Sequence, residues 1–451
     1  MERQYSYVPH TEDDIKAMLA AVGAHDIADL FADIPEEVTL QEGLAIPEGM
    51  SESEAFSYME RLSLMNTKCI PFLGCGIYDH IIPSAVKQVA ATPALVTAYT
   101  PYQPEISQGV LQGIFEFQSM VCRLTGMQVS NASLYDGHTA AAEAAAMALQ
   151  SKRKSTDILV SQTVHPFTRR VLETYYRHSG ISVQVIPSRS DVTDMENLAS
   201  MINADTACVI LQSPNIFGIL EDFTGAADVV HQHKALLVIS SNPMTLGVCR
   251  SQGSWGADIA VGDTQPFGIP ASFGGPTVGY IAATEKLLRK MPGRIVGETT
   301  DADGKRAFVL TLQAREQHIK RERATSNICS NQALAALASA SYMALAGPAG
   351  IREAGEQCFS KAHFLAAELQ ERTQTVRYSQ APFFHEFTLD FSSKPRAKAF
   401  LEGMLDRGIA AGVHLGDLAS EFDGLVAVAV TEKRTREEID RYVQSAAEVL
   451  A

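Results

Sequence analysis

"ADIAVGDTQPFGIPASFGGPTVGY", residues 257–280, decides the fold. Its first part, DIAVGD (258–263), is a short apolar run. A turn rich in Gly and Pro carries it into a second run, VGYIAAT (278–284). Apolar residues at consecutive rather than alternate positions predict strands covered on both faces. Upstream the same kind of run recurs as DILVSQ (157–162), SVQVIP (182–187), ACVILQSP (207–214) and ALLVIS (235–240). Helical patterns such as TRRVLETYYRHSG and GAADVVHQHKA lie between them. Strands alternating with helices predict an α/β fold around a mostly parallel sheet.

That alternation spans residues 66–325, the expected large domain. Residues 1–65 read instead as a helical, acidic arm. Thr11 followed by acidic residues caps a helix over IKAMLAAVG. Leu30, Phe31 and Ile34 make a small apolar face, too little for a core of its own. The arm is therefore expected to wrap another surface, in this chain or in a partner. Residues 326–451 change character again. An Ala-rich helix (331–347) leads to FFHEFTLDF (383–391), a helix, GIAAGVHL (408–415), GLVAVAVT (424–431) and a last helix, with Thr435 and Glu438 as its capping box. This predicts a small C-terminal α+β domain. No internal repeat or low-complexity tract is present.

Composition narrows the function classes. With 46% apolar and 20% charged residues the chain reads as an ordinary soluble protein. A net charge of −15 argues against nucleic acid or an anionic membrane as the main partner. Seven scattered cysteines give an odd number, and Cys69 and Cys75 lack a second pair or histidine cluster for zinc. Reduced thiols in a cytoplasmic protein are the expectation. The start, MERQYSYVPHTEDD, lacks the pattern of a signal peptide. The Ala-rich stretch 331–347 is short for a membrane span, so a buried helix is expected there.

Four segments invite functional readings. YDGHTAAAEA places Gly137, His138 and Thr139 at a helix N-terminus, either an anion site or an ordinary capped start. His165, in SQTVHPFTRR, falls just past the C-terminal end of a strand, where ligands of open α/β sheets bind. It suits stacking on an aromatic ring, or a purely structural role. AYTPYQPEISQG (98–109) is a binding loop or a packed surface turn. LQAREQHIKRERATSNICSNQA (312–333) mixes basic residues with Glu316 and Glu322, the pattern of a solvated helix face.

These segments, with YVPHTEDDI, FADIPEEV, PFLGCGIYDH and REQHIKRERATSNICSNQ, together resemble the P-protein of the glycine cleavage system, glycine dehydrogenase (decarboxylating). The match is to the first subunit of its split form, and it runs in family order over essentially the whole chain. The resemblance implies the aspartate-aminotransferase-like fold of pyridoxal phosphate enzymes (fold type I), with a large α/β domain and a small C-terminal one. It implies an oxidoreductase of glycine catabolism, a glycine decarboxylase that uses pyridoxal phosphate and passes the aminomethyl group to the lipoyl arm of H-protein. It also implies a second, related subunit carrying the cofactor lysine, in a two-plus-two heterotetramer.

In that fold the turn after DIAVGD carries the lysine, and here it reads Thr264-Gln265-Pro266. The carboxylate that supports the pyridine nitrogen belongs on the preceding strand. There ALLVISSNPMTLG offers Ser240, Ser241 and Asn242 but no acid. Both losses imply that this chain has no catalytic residue of its own and that the sister subunit binds the pyridoxal phosphate. Gly137, His138, Thr139 and His165 would then be remnants of a phosphate loop and a ring-stacking position. Tyr102, Gln103, Arg315 and Asn327 are the candidates for completing the sister's site. The competing readings are a structural or regulatory pseudoenzyme and an independent enzyme with a displaced lysine, Lys286 first.

Overall fold

The computed structural model describes residues 9–40, 43–329 and 331–451, and the chain divides into two units, 1–67 and 68–451. In the first unit, helices Glu12–Val22 and Glu52–Leu64 each open on a reciprocal capping box. Thr11 N–H donates to the Asp14 carboxylate at 2.8 Å, and Ser51 N–H to that of Glu54 at 2.8 Å. Neither helix buries a residue. Leu30, Phe31 and Ile34, the apolar face foreseen in the sequence, are 55%, 56% and 46% exposed.

The second unit is built on a seven-stranded sheet. Its order is Val129–Ser130, Gly279–Ala283, Ile259–Asp263, Leu236–Ser240, Thr206–Gln212, Asp157–Ser161 and Ser182–Ile186. The last five run parallel, and Gly279–Ala283 is antiparallel to both its neighbours. Alternate residues of the same strand enter two different cores. Ile158, Val160, Ile210 and Val238 pack with the Ala-rich helix Gly137–Ser151. Leu159, Val209, Leu237 and Ile239 pack with Leu198 and Val230 on the other face. This two-sided burial is why the strands read as unbroken apolar runs.

The basic segment 312–333 departs from the expected helix. It breaks into short turns, Gln313–Arg315, Gln317–Lys320 and Arg321–Arg323, with Leu312 and Arg321 both at φ 54°. Extended Glu316 (φ −67°, ψ 149°) separates the first two turns, and Arg321 at positive φ separates the last two. The Ala-rich helix, conversely, is far longer than 331–347. It spans Ala333–Thr373, interrupted at Gly347 before Pro348. By length and composition it could cross a membrane, yet Ala336, Ala338 and Tyr342 pack into a core with Phe117 and Phe267.

Beyond it, Val376–Arg377, Glu386–Asp390, Leu425–Ala429 and Val413–His414 form an antiparallel sheet in that order. Helices Lys394–Leu405 and Arg436–Leu450 pack with its core, the latter opened by the Thr435–Glu438 box. The C-terminal residues do not build this region alone, because Ile70 and Pro71 pair in parallel with Ile409 and Ala410. From there the chain continues as loop 74–81.

The strand Glu386–Asp390 is crossed closely by the loop after Thr206–Gln212. At the crossing Gly218 has φ 84°, and a Cβ there would lie 1.8 Å from the Glu386 carbonyl oxygen. Both the backbone angle and the space demand glycine. Gly218→Ala is expected to cost more than about 3 kcal/mol of stability. Urea unfolding checks this, and a loss below about 1 kcal/mol would show that the strand can move away.

Candidate functional site

A cavity of about 550 Å³ opens where the parallel strands end. Gln212, Ser240 and Asp263, the last residues of three strands, line it, and His165 follows a fourth. Sheet topology alone puts a crevice at this edge. The opposite wall comes from far away in sequence: loop 74–81 and the His385–Glu386 pair of the C-terminal sheet.

Gly137, His138 and His165 line this cavity together. Thr139 does not; its N–H and hydroxyl donate to Asp136 at 2.7 and 2.9 Å. Asp136 is the N-cap of helix Gly137–Ser151. The Gly137 N–H donates to Asp263 Oδ2 at 3.2 Å. His138 meets Thr168 Oγ1 at 2.8 Å, and its ring lies 4.7 Å from that of His165. His165 accepts from Phe167 N–H at Nδ1, leaving Nε2 to donate to the Cys75 carbonyl. That pairing describes a neutral imidazole, and burial holds its pKa down at about 3.

Gln265 is buried but turns away from the cavity. Its Oε1 accepts Tyr78 N–H at 2.9 Å, and its Nε2 donates to the carbonyls of Tyr78 and Ile269 at 2.9 and 2.8 Å. The side chain thus exchanges a pair of hydrogen bonds with one backbone unit, as a neighbouring strand would. Glu386 works alongside it, accepting Cys75 N–H at 2.7 Å and the Tyr78 hydroxyl at 2.9 Å. Burial pushes the Glu386 carboxyl up. At the loop's end Glu432 accepts Ile81 N–H at 2.8 Å and meets His80 Nδ1 at 2.7 Å. Burial alone would raise the Glu432 pKa, but the bonds from His80, Ile81 and Cys358 hold it down at about 2.

These residues do not fit pyridoxal phosphate. No Lys or Arg is among the described residues that line the cavity. The helix N-terminus that would take a phosphate already donates to the carboxylates of Asp136 and Asp263. Ser240, Ser241 and Asn242 line the end where a ring nitrogen would need an acid, and Asn242 Nδ2 is buried with no partner. Lys286 is exposed on the turn Glu285–Lys290 and does not line the cavity.

The four partner-facing candidates lie outside the cavity. The Tyr102 hydroxyl accepts from Arg294 at 2.6 Å, and Arg294 also meets buried Glu316 at 3.4 Å. Arg315 donates to the carbonyls of Leu312 and Gly293 at 3.1 and 3.0 Å. Gln103 and Asn327 are exposed. Sequence reading missed Asp136, Asp263, His385 and Glu386. Asp136 was visible as an acid three residues before Thr139, but nothing local marks Glu386, which arrives through the C-terminal sheet.

The Gln265 clamp carries a stability prediction. Gln265→Leu leaves Tyr78 N–H and the Ile269 carbonyl buried without partners, at roughly 1–3 kcal/mol each before relaxation, while the Tyr78 carbonyl keeps the His80 N–H at 3.2 Å. A net loss of about 2–5 kcal/mol in urea unfolding is expected, with faster amide exchange across 74–81. An unchanged unfolding midpoint would mean that Glu386 and Glu432 suffice to hold the loop.

The comparisons with known proteins agree with this architecture. The family model of the glycine cleavage system P-protein matches residues 5–445. A curated relative from Moorella thermoacetica, named probable glycine dehydrogenase (decarboxylating) subunit 1, is 48% identical over 99% of this chain and 100% of its own length. A relative of the same name from Halalkalibacterium halodurans is 48% identical over 98% of both chains. A crystal structure of an inhibitor-bound glycine decarboxylase (P-protein) superposes with a TM-score of 0.91 at 40% identity, covering 99% of this chain and 100% of that one. The fold is that of the type I pyridoxal phosphate enzymes. Carried by both its sequence and its fold, the chain belongs to the glycine cleavage system P-protein family.

Proposed function

We propose that this chain is the non-cofactor subunit of a glycine-decarboxylating P-protein, assembled with a sister chain that supplies the pyridoxal phosphate lysine. The observation that carries this reading is Gln265, which stands where the family resemblance puts the lysine and whose amide is spent on Tyr78 and Ile269. The sister is the second subunit that the name of the Moorella relative implies. The arrangement is a cytoplasmic two-plus-two heterotetramer, and lipoylated H-protein takes up the aminomethyl group.

In this assembly the chain works by shape rather than by chemistry. The face that carries Tyr102, Gln103, Arg315 and Asn327 would complete the sister's site. Of these, Gln103 and Asn327 have side chains in solvent for a partner to meet. Tyr102, 43% exposed, is pre-set by its bond to Arg294. The displaced-lysine reading gains no support, since exposed Lys286 does not line the cavity.

Mixed with pyridoxal phosphate and borohydride, the purified chain should give no stoichiometric adduct on any one lysine, as read by peptide mapping. A single modified lysine at full occupancy would overturn the proposal. The arm gives a second test. Its exposed apolar residues need a partner surface, and obligate interfaces run to several thousand Å². Deleting residues 1–40 should weaken assembly with the sister without lowering the melting temperature of the remaining chain. An unchanged elution position of the truncated complex at dilute protein would refute that role for the arm.

A further inference from the structure

The cavity that does not fit the cofactor has a chemistry of its own. Three carboxylates line it, those of Asp136, Asp263 and Glu386, and no lysine or arginine among the described lining residues offsets them. Arg169, whose charge reaches His165, is itself paired with Glu421 at 2.7 Å. The imidazoles do not supply the missing positive charge. Burial holds His165 and His385 down at about 3, and lowers His138 as well.

Two further features point to a guest. Asn242 Nδ2 and both ring nitrogens of His385 are buried without partners, and both residues line the cavity. Unpartnered polar groups on a cavity wall are satisfied by water or by a ligand. Aromatic rings are gathered there as well: His165 packs 5.2 Å from Phe167, and Tyr78 packs 4.5 Å from His385. A volume near 550 Å³ is that of a small-molecule site.

We propose that this cavity binds a small organic ammonium ion carrying a flat ring, with the ammonium at the Asp136 and Asp263 carboxylates beside the helix start and the ring against the aromatic wall that Glu386 backs through Tyr78. The carboxylates that exclude a phosphate are what select a cation. Burial pushes both Asp263 and Glu386 up against the hydrogen bonds that lower them, and a cation seated beside them would favour their charged forms. Rings of Tyr and Phe attract a cation through their faces as well. A hydroxyl or ring nitrogen on the guest would satisfy Asn242 Nδ2. The proposal does not rest on the assembly reading, and its failure would leave that reading untouched.

Calorimetry on the full chain with benzylamine, benzyl alcohol and benzoate tests it, since the three probes share size and differ in charge. Benzylamine should saturate one site. Benzyl alcohol should bind at least about tenfold more weakly, the worth of a charged hydrogen bond. Benzoate should not bind. Asp136→Asn keeps the helix cap, because Asn caps as well as Asp, yet removes a charge, and should weaken benzylamine about tenfold. Asn242→Asp retains the acceptor for Met244 N–H and adds a charge, so it should tighten benzylamine. That gain cannot come from misfolding. Benzoate or pyridoxal phosphate binding as tightly as benzylamine would overturn the proposal. So would benzylamine failing to saturate, which means that water alone fills the space, or Asn242→Asp failing to tighten it.

Discussion

The exchange of hydrogen bonds between the Gln265 amide and the Tyr78 backbone is the contact on which the site depends. Loop 74–81 has no regular structure, and its backbone groups need partners wherever water is excluded. Gln265 supplies them from the large sheet, while Glu386 and Glu432 supply them from the C-terminal region. Lys433 and Arg434 add bonds to Asp79 at 2.7 and 2.9 Å. A segment that would otherwise be free to move thus becomes a fixed wall. A glutamine suits this task because one amide both donates and accepts. A lysine offers donors only, so this position cannot hold Tyr78 and present a free amine at once.

The same commitment sets the polarity of the cavity. Among the described lining residues there is no lysine or arginine, and the N-terminus of helix Gly137–Ser151 is answered from within by Asp136 and Asp263. Helix N-termini attract anions through exposed N–H groups, and here the anions are the protein's own. Gly137 and Thr139, at this helix start, thus serve the protein's own carboxylates. His165 is a parallel case. It stands where a ring could be stacked, but both of its nitrogens are spent on Phe167 and Cys75.

The large sheet was legible because burial on both faces leaves a mark in every strand. VILQ in 209–212 sends Val209 and Leu211 to one core and Ile210 to the other, and no alternative pattern would serve. The helix starts at Thr11 and Thr435 were legible for a local reason, since a capping box is written within four residues. The basic segment was not, because charge mixing says only that a surface is solvated. Its breaks rest on the extended backbone of Glu316 and the positive φ of Arg321, which no residue type there announces. Half of the site was equally hidden. Gln265, His138 and His165 sit beside strand ends and could be placed by topology. Glu386, His385 and Tyr78 reach the cavity only because Ile70–Pro71 pairs with Ile409–Ala410 and Gly218 lies against Glu386.

That construction explains why a cavity stands beside Gln265, whose side chain turns away from it. Its floor is the ends of parallel strands, where crossover connections part and leave a crevice whatever the side chains are. The crevice cannot be closed by drawing the helix in, because Gly137 already packs tightly, a Cβ there standing 3.1 Å from the Gly262 carbonyl carbon. Nor can the far wall collapse inward while Gln265, Glu386 and Glu432 hold loop 74–81 from three sides. Changing side chains removes a few atoms, whereas losing the space would require new topology. What remains is a rigid, acid-lined chamber whose chemistry is free to differ from that of the fold it was built on.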